Sequence, residues 1–244
     1  PLAVRGATTV MLSVGVAPGL SNLLAARACA SIESVDRVDL LIELGLGDHH
    51  GAAAIAWTLE TLGAEFEVFE DGRARRVRGF GELRPLSFPG ESARPAYRFD
   101  LADQHALHRT LGVTAATWLR FTSPLTTWFV ALAMRCGLGR LLRVPSIRSL
   151  IARALSGVHL GSRRCGVAAR ATGRTRGDPL TRTCAVMGRE EALMTAVVAV
   201  EVVRQVLSDD FPPGVLHSHE AIDLGPVLEA LEREISELAI SLPT

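Results

Sequence analysis

Residues 65–77 read EFEVFEDGRARRV, with apolar and charged residues alternating over 65–69 and a second short run over 74–77. An alternating run, the turn pair Asp71-Gly72 and a returning run predict a β-hairpin, because Asp-Gly supplies the positive φ angles that a two-residue turn requires. A hairpin is antiparallel, so any sheet in this chain that also contains strand–helix units must be mixed. This feature constrains the fold class more than any other in the sequence.

Such units flank it on both sides. Residues 7–14 read as a buried strand, and the loop GVAPGLSN leads into an alanine-rich helix over about 22–32, with Ser21 placed to cap it. Pro18-Gly19 suits the centre of a type II turn, whose second residue has positive φ. The run VDRVDLLIEL (35–44) predicts a strand ending in GLGDHHG, followed by a helix over 52–62 that Gly63 closes. Pro85, Pro89 and Pro95 mark a looped region. DLADQHALHRTLG predicts a short helix and 113–121 a strand. Helical spacing from 124 to 155, interrupted by Gly137, Gly139 and Pro145, predicts two or three helices. Two strands (164–172 and 180–187), a helix over about 190–207, the loop DDFPPG and a helix over about 225–238 complete the chain. The pattern is that of an α+β protein with a mixed, largely antiparallel sheet packed with helices.

Composition excludes several function classes. The 26 basic and 26 acidic residues cancel, which leaves none of the basic excess that drives nucleic-acid binding. All the basic residues are arginine, so no lysine of this chain can form a Schiff base. Cys29, Cys136, Cys165 and Cys184 are widely spaced and no secretory leader is visible, so reduced thiols and a cytoplasmic setting are expected. The most apolar run, 125–134, is far short of the roughly 20 residues needed to span a bilayer. The chain opens PLAVRGATTV, without Met and almost directly in a strand, which suggests a start inside a longer protein.

The motifs are sparse. G-x-G-x-x-G, G-x-x-x-x-G-K-[ST] and G-x-S-x-G are all absent. In GLGDHHG, adjacent His49 and His50 point in different directions on most backbones. The segment therefore suits a polar pocket role, or helix capping by Asp48, better than a metal site. His217 and His219 in HSHE read as an exposed loop; Asp103, His105 and His108 share one short helix; Cys165 and Cys184 read as small core residues. Arginines 135, 140, 143, 148 and 153 read as the wet face of amphipathic helices, and contact with an anionic membrane surface is the minority alternative.

TTVMLSVGVAPGLSNLLA, GLGDHHGAAAIAWTL, PAYRFDLADQHALHRTLGV and MTAVVAVEVVRQVL…PPGVLHSHEAI together resemble, in order, segments of the saccharopine dehydrogenase family, in its bacterial saccharopine dehydrogenase-like branch. The resemblance implies that 1–20 is the end of a Rossmann nucleotide-binding domain and a hinge. It further implies that 21–207 is an α+β substrate and dimerisation domain with a helical insertion over 124–155, and that 208–244 is a C-terminal loop and helix. NAD or NADP would then be bound mainly by a domain outside this chain, with a small-molecule substrate and a homodimer as partners. The residues matching the family's loop motif are Gly15, Pro18, Gly19 and Asn22. Where saccharopine reductases carry an acidic residue this chain has Ala17, so saccharopine itself is a doubtful substrate. By their positions at strand and helix ends, His49, His50, Trp57 and Arg120 are expected to line the same crevice. The alternative is a non-catalytic dimerisation or scaffold domain, docked on membranes through the 124–155 helices.

Overall fold

The computed structural model describes residues 8–48, 51–70, 72–156, 161–208 and 211–243. In chain order the elements are β1 (Thr9–Leu12), α1 (Ser21–Cys29), β2 (Ser34–Leu44), α2 (Ala52–Thr61), β3 (Glu65–Glu70), β4 (Arg73–Arg78), β5 (Leu83–Leu86), β6 (Arg94–Arg98), α3 (Ala102–Leu111) and β7 (Thr114–Phe121). They continue as α4 (Pro124–Arg135), α5 (Leu138–Leu141), α6 (Pro145–Ser156), β8 (Arg164–Thr175), β9 (Asp178–Arg189), α7 (Glu191–Ser208), β10 (Gly214–His217), α8 (Ser218–Ala221), α9 (Leu224–Glu234) and β11 (Ala239–Ser241).

The 35–44 run alternates only in part because β2 lies inside a seven-stranded sheet of order β11-β9-β8-β2-β7-β6-β5. Leu40 is opposite Thr117 of parallel β7 on one side and Ala169 of antiparallel β8 on the other. The other pairings of this sheet are antiparallel, so the fold is α+β with a mixed, mostly antiparallel sheet. Side chains alternate across the sheet. Val38, Leu40, Ile42, Leu119 and Val167 enter the main core with Leu24 of α1, Leu107 of α3, Met194 of α7 and Leu231 of α9. Leu41, Ala116, Trp118 and Ala168 face the other way, into a smaller cluster with Leu86 and Phe88.

The 65–78 hairpin forms as expected, with Glu65 opposite Arg78 and Glu67 opposite Arg76, but it stands as a two-stranded sheet of its own, so the mixed character of the main sheet comes from the parallel β2–β7 pair and not from the hairpin. Its turn residue Asp71 lies outside the described residues. Three helices fill 124–156, and Ser123 caps the first by accepting the Thr126 N–H at 3.2 Å.

Several expectations need correction. The proline-marked loop contains two strands, β5 and β6, in which Pro85 stands opposite Pro95, so the two residues lacking an N–H face each other. Residues 9–12 do not join the main sheet; β1 pairs in parallel with β10, and both form a separate two-stranded sheet. The HSHE segment is not a loop: it closes β10 and opens α8. The last helix ends at Glu234, and β11 adds to the edge of β9. Ser21 does not cap α1; Leu20 precedes the helix in a helical conformation, and no side chain caps it. Pro18-Gly19 is not a type II turn either. The Ala17–Pro18 peptide is cis, and Gly19 has φ +144° and ψ −91°.

Candidate functional site

The loop after β1 is held by its own sequence. The Leu20 N–H donates to the Gly15 carbonyl at 2.8 Å, and the Gly19 N–H donates to Asn22 Oδ1 at 3.1 Å. Asn22 Nδ2 in turn donates to the Asp103 carbonyl at 3.1 Å, which ties the loop to α3. A Cβ on Gly19 would stand 2.8 Å from the Ser13 carbonyl oxygen at a positive φ, so only glycine fits. Gly15 packs against Thr195 of α7. Gly15, Gly19 and Asn22 are buried and Pro18 half-buried. Their backbone and side-chain hydrogen bonds hold the loop together and to α3.

Beneath the loop lies a buried polar cluster. Asp103 Oδ1 accepts the Gln104 N–H at 2.8 Å and the Thr117 hydroxyl at 2.7 Å, while Gln104 Oε1 accepts the Thr117 N–H at 3.1 Å. Asp103 Oδ2 is buried without a donor, beside the equally unsatisfied Ser21 hydroxyl. Burial pushes the Asp103 carboxyl well above the ordinary carboxylate range, and its hydrogen bonds only partly oppose this.

At the carboxyl ends of β1 and β10 the structure assembles a group that the sequence reading passed over. Ser13 follows β1 with φ +58°, in the left-handed region, and its Oγ is 2.8 Å from His217 Nδ1. The His217 N–H donates to Glu220 Oε2 at 2.8 Å, and the His217 and His219 rings are 5.7 Å apart. Thr110 of α3 donates its hydroxyl to the Ala106 carbonyl at 2.9 Å and meets His219 Nε2 at 2.7 Å, so the bonding network assigns the His219 proton to Nε2. Burial, then His217, pulls the His219 pKa below its ordinary value. The available signals were the acidic residue three positions after His217 and a serine near the end of a strand, two positions before Gly15.

The other expected pocket residues are elsewhere. His49 and His50 lie outside the described residues. Asp48 is buried and does not cap α2, whose first residue follows an uncapped Gly51. Trp57, 46% exposed on α2, packs edge-to-face on Phe99 with centroids 5.8 Å apart.

Arg120 stands three residues after Thr117 on β7, and therefore on the opposite face of the sheet from Asp103 and the loop. It is buried and fully engaged. Nε donates to Glu43 Oε2 at 2.6 Å and Nη1 to the Leu86 carbonyl at 2.7 Å, and the guanidinium lies 5.2 Å from the Phe88 ring centroid. Arg94 and Arg164 complete the cluster on Glu43 and Glu91. No single crevice therefore holds Arg120 together with the loop.

Among the described residues, no group of three or more His, Cys, Asp or Glu side chains is arranged to hold a metal ion. The thiols are quenched where buried: burial pushes Cys165 up to about 12 and Cys184 to about 11. No described helix is long and apolar enough to cross a membrane. No protein-family model matches the chain, and no curated protein matches it significantly.

Proposed function

We propose that the chain is the substrate and dimerisation part of a saccharopine dehydrogenase-like NAD(P)-dependent oxidoreductase acting on a small amino-acid-like or carbonyl metabolite. One observation carries this reading. The parallel β1–β10 pair is separate from the seven-stranded sheet, and Ser13 and His217 meet at its carboxyl ends, where open parallel sheets bind their ligands. Two strands alone make a marginal sheet, so such a pair fits best as the edge of a larger parallel sheet.

The dinucleotide itself does not fit these residues. The loop closes on its own backbone at Gly19, and the other glycine-rich strand-to-helix turn, GLGDHHG between β2 and α2, lacks the G-x-G-x-x-G spacing. NAD or NADP would supply hydride from a nucleotide-binding domain outside this chain. This chain's part is the proton. Reduction of a C=N or C=O bond adds hydride to carbon and a proton to nitrogen or oxygen, and the Ser13 hydroxyl, replenished from His217, is placed to deliver that proton.

The coding sequence ahead of Pro1 tests the assignment: a strand followed by G-x-G-x-x-G supports it, and any other domain there overturns it. In the protein carrying that domain, His217→Gln should leave NADPH binding unchanged and slow turnover of carbonyl substrates about 100-fold. Unchanged turnover would remove His217 from the chemistry.

A further inference from the structure

Helix α4 has its large apolar residues on the wrong side for a helix that only covers a core. Thr127, Ala131 and Met134 face inward, whereas Leu125, Trp128, Phe129 and Leu132, at i, i+3, i+4 and i+7, are 71%, 53%, 61% and 41% exposed. The Trp128 and Phe129 rings meet edge-to-face at 5.1 Å on that outer surface. Leu141, Val144, Leu150 and Leu155 of the following helical segment are exposed as well. Between α2, α4 and α6 runs an apolar groove of about 330 Å³ lined by Leu59, Phe129, Met134, Leu142, Ile151 and Leu155. Scattered exposed leucines are ordinary, but a continuous stripe of this kind marks a docking surface.

The charge around the stripe is one-sided. The sequence contains no aspartate or glutamate between Asp103 and Asp178, and 124–155 carries arginines 135, 140, 143, 148 and 153. Arg148 pairs with Glu60 of α2 at 3.4 Å. Arg135, Arg140 and Arg143 are exposed and, among the described residues, make no ion pair. The sequence had suggested an ordinary solvated face for these helices; the structure replaces that with apolar residues and unneutralised arginines on the same exterior.

We infer that the α4–α6 unit is a docking surface for an anionic lipid bilayer. Leucine, tryptophan and phenylalanine enter the headgroup boundary while arginines bind lipid phosphates, the arrangement of a helix lying in the membrane plane. A second copy of the chain fits less well, because a two-fold contact would set one acid-free arginine cluster against another. A nucleic acid would leave Leu125, Leu132 and Leu150 without a partner, since bases stack on aromatic rings rather than on leucine. The inference does not depend on the proposed enzymatic role.

Co-sedimentation of the full chain with vesicles of phosphatidylcholine alone and of phosphatidylcholine with phosphatidylglycerol tests it. Binding is expected only to the anionic vesicles and should fall as salt is raised. The triple variant Arg135→Gln, Arg140→Gln and Arg143→Gln should bind about 100-fold more weakly, about fivefold for each arginine. Trp128→Ser with Phe129→Ser should abolish binding while the chain stays folded by circular dichroism, since both side chains are more than half exposed. Three results would overturn the inference: unmodified chain that ignores anionic vesicles, unmodified chain that self-associates through the aromatic pair and does not bind vesicles, or arginine-dependent capture of single-stranded oligonucleotide in place of vesicles. The salt series on the unmodified chain keeps the test decisive if a variant fails to fold.

Discussion

Asp103 is fully buried, and burial outweighs the hydrogen bonds and the His105 charge that favour its ionised form, so its carboxyl is predicted to be protonated in the folded protein at pH values where the unfolded chain has already ionised it. Asp103→Asn keeps Oδ1 as acceptor for the Gln104 N–H and the Thr117 hydroxyl, and places an amide N–H where Oδ2 meets the unsatisfied Ser21 hydroxyl. Its stability should stay within about 1 kcal/mol of the unmodified chain. Asp103→Ala strands both donors, and at about 1–3 kcal/mol for a buried unsatisfied group the loss should be about 3 kcal/mol. In a chain of this size that lowers Tm by about 6–12 °C.

The pH dependence follows from the sign of the shift. The folded pKa is raised above 3.8, so the stabilisation is complete below the unfolded value and is lost as pH rises through the folded one. Relative to the unmodified chain, Asp103→Asn should therefore become progressively more stable as pH is raised, then level off. Thermal melts of the three proteins across that range provide the measurement. If Asp103→Asn loses as much as Asp103→Ala, or its difference from the unmodified chain is flat with pH, the carboxylate is ionised and the reasoning fails.

Two further substitutions probe the sheet's other face and the loop. Arg120→Met leaves the buried Glu43 with Arg94 and the more distant Arg164 at 3.8 Å and should cost about 3 kcal/mol in urea unfolding, with partial recovery when Glu43→Gln is added; a loss below about 1 kcal/mol would show that the pair is not coupled. Asn22→Ala removes the acceptor for the Gly19 N–H and the donor to the Asp103 carbonyl, so it should cost about 2 kcal/mol and speed hydrogen exchange at Gly19. Unchanged exchange at that amide would show that the loop holds its shape without Asn22.

Local chemistry made much of the fold legible. Asp-Gly after an alternating run specified the β3–β4 pair, helical spacing from 124 located the start of α4, and Gly112, with φ +67°, closes α3 as a left-handed residue should. β5 and β6 were hidden because prolines read as breakers unless a partner strand supplies a facing proline, and β10 and β11 because strands of four and three residues carry almost no periodicity. The loop's glycines were recognised, but their purpose was not, since only the packed neighbours Ser13, Thr195 and Asp103 show that they serve closure.

The sequence by itself determined the β3–β4 hairpin, the positions of the longer helices and strands and the acid-free arginine segment, because each is a property of neighbouring residues. Only the tertiary structure decided which of those features meet. It turned Arg120 away from the loop, since one strand presents successive side chains to opposite faces. It also brought Ser13 to His217 across 204 positions, a contact that depends on how the chain returns beside its own first strand.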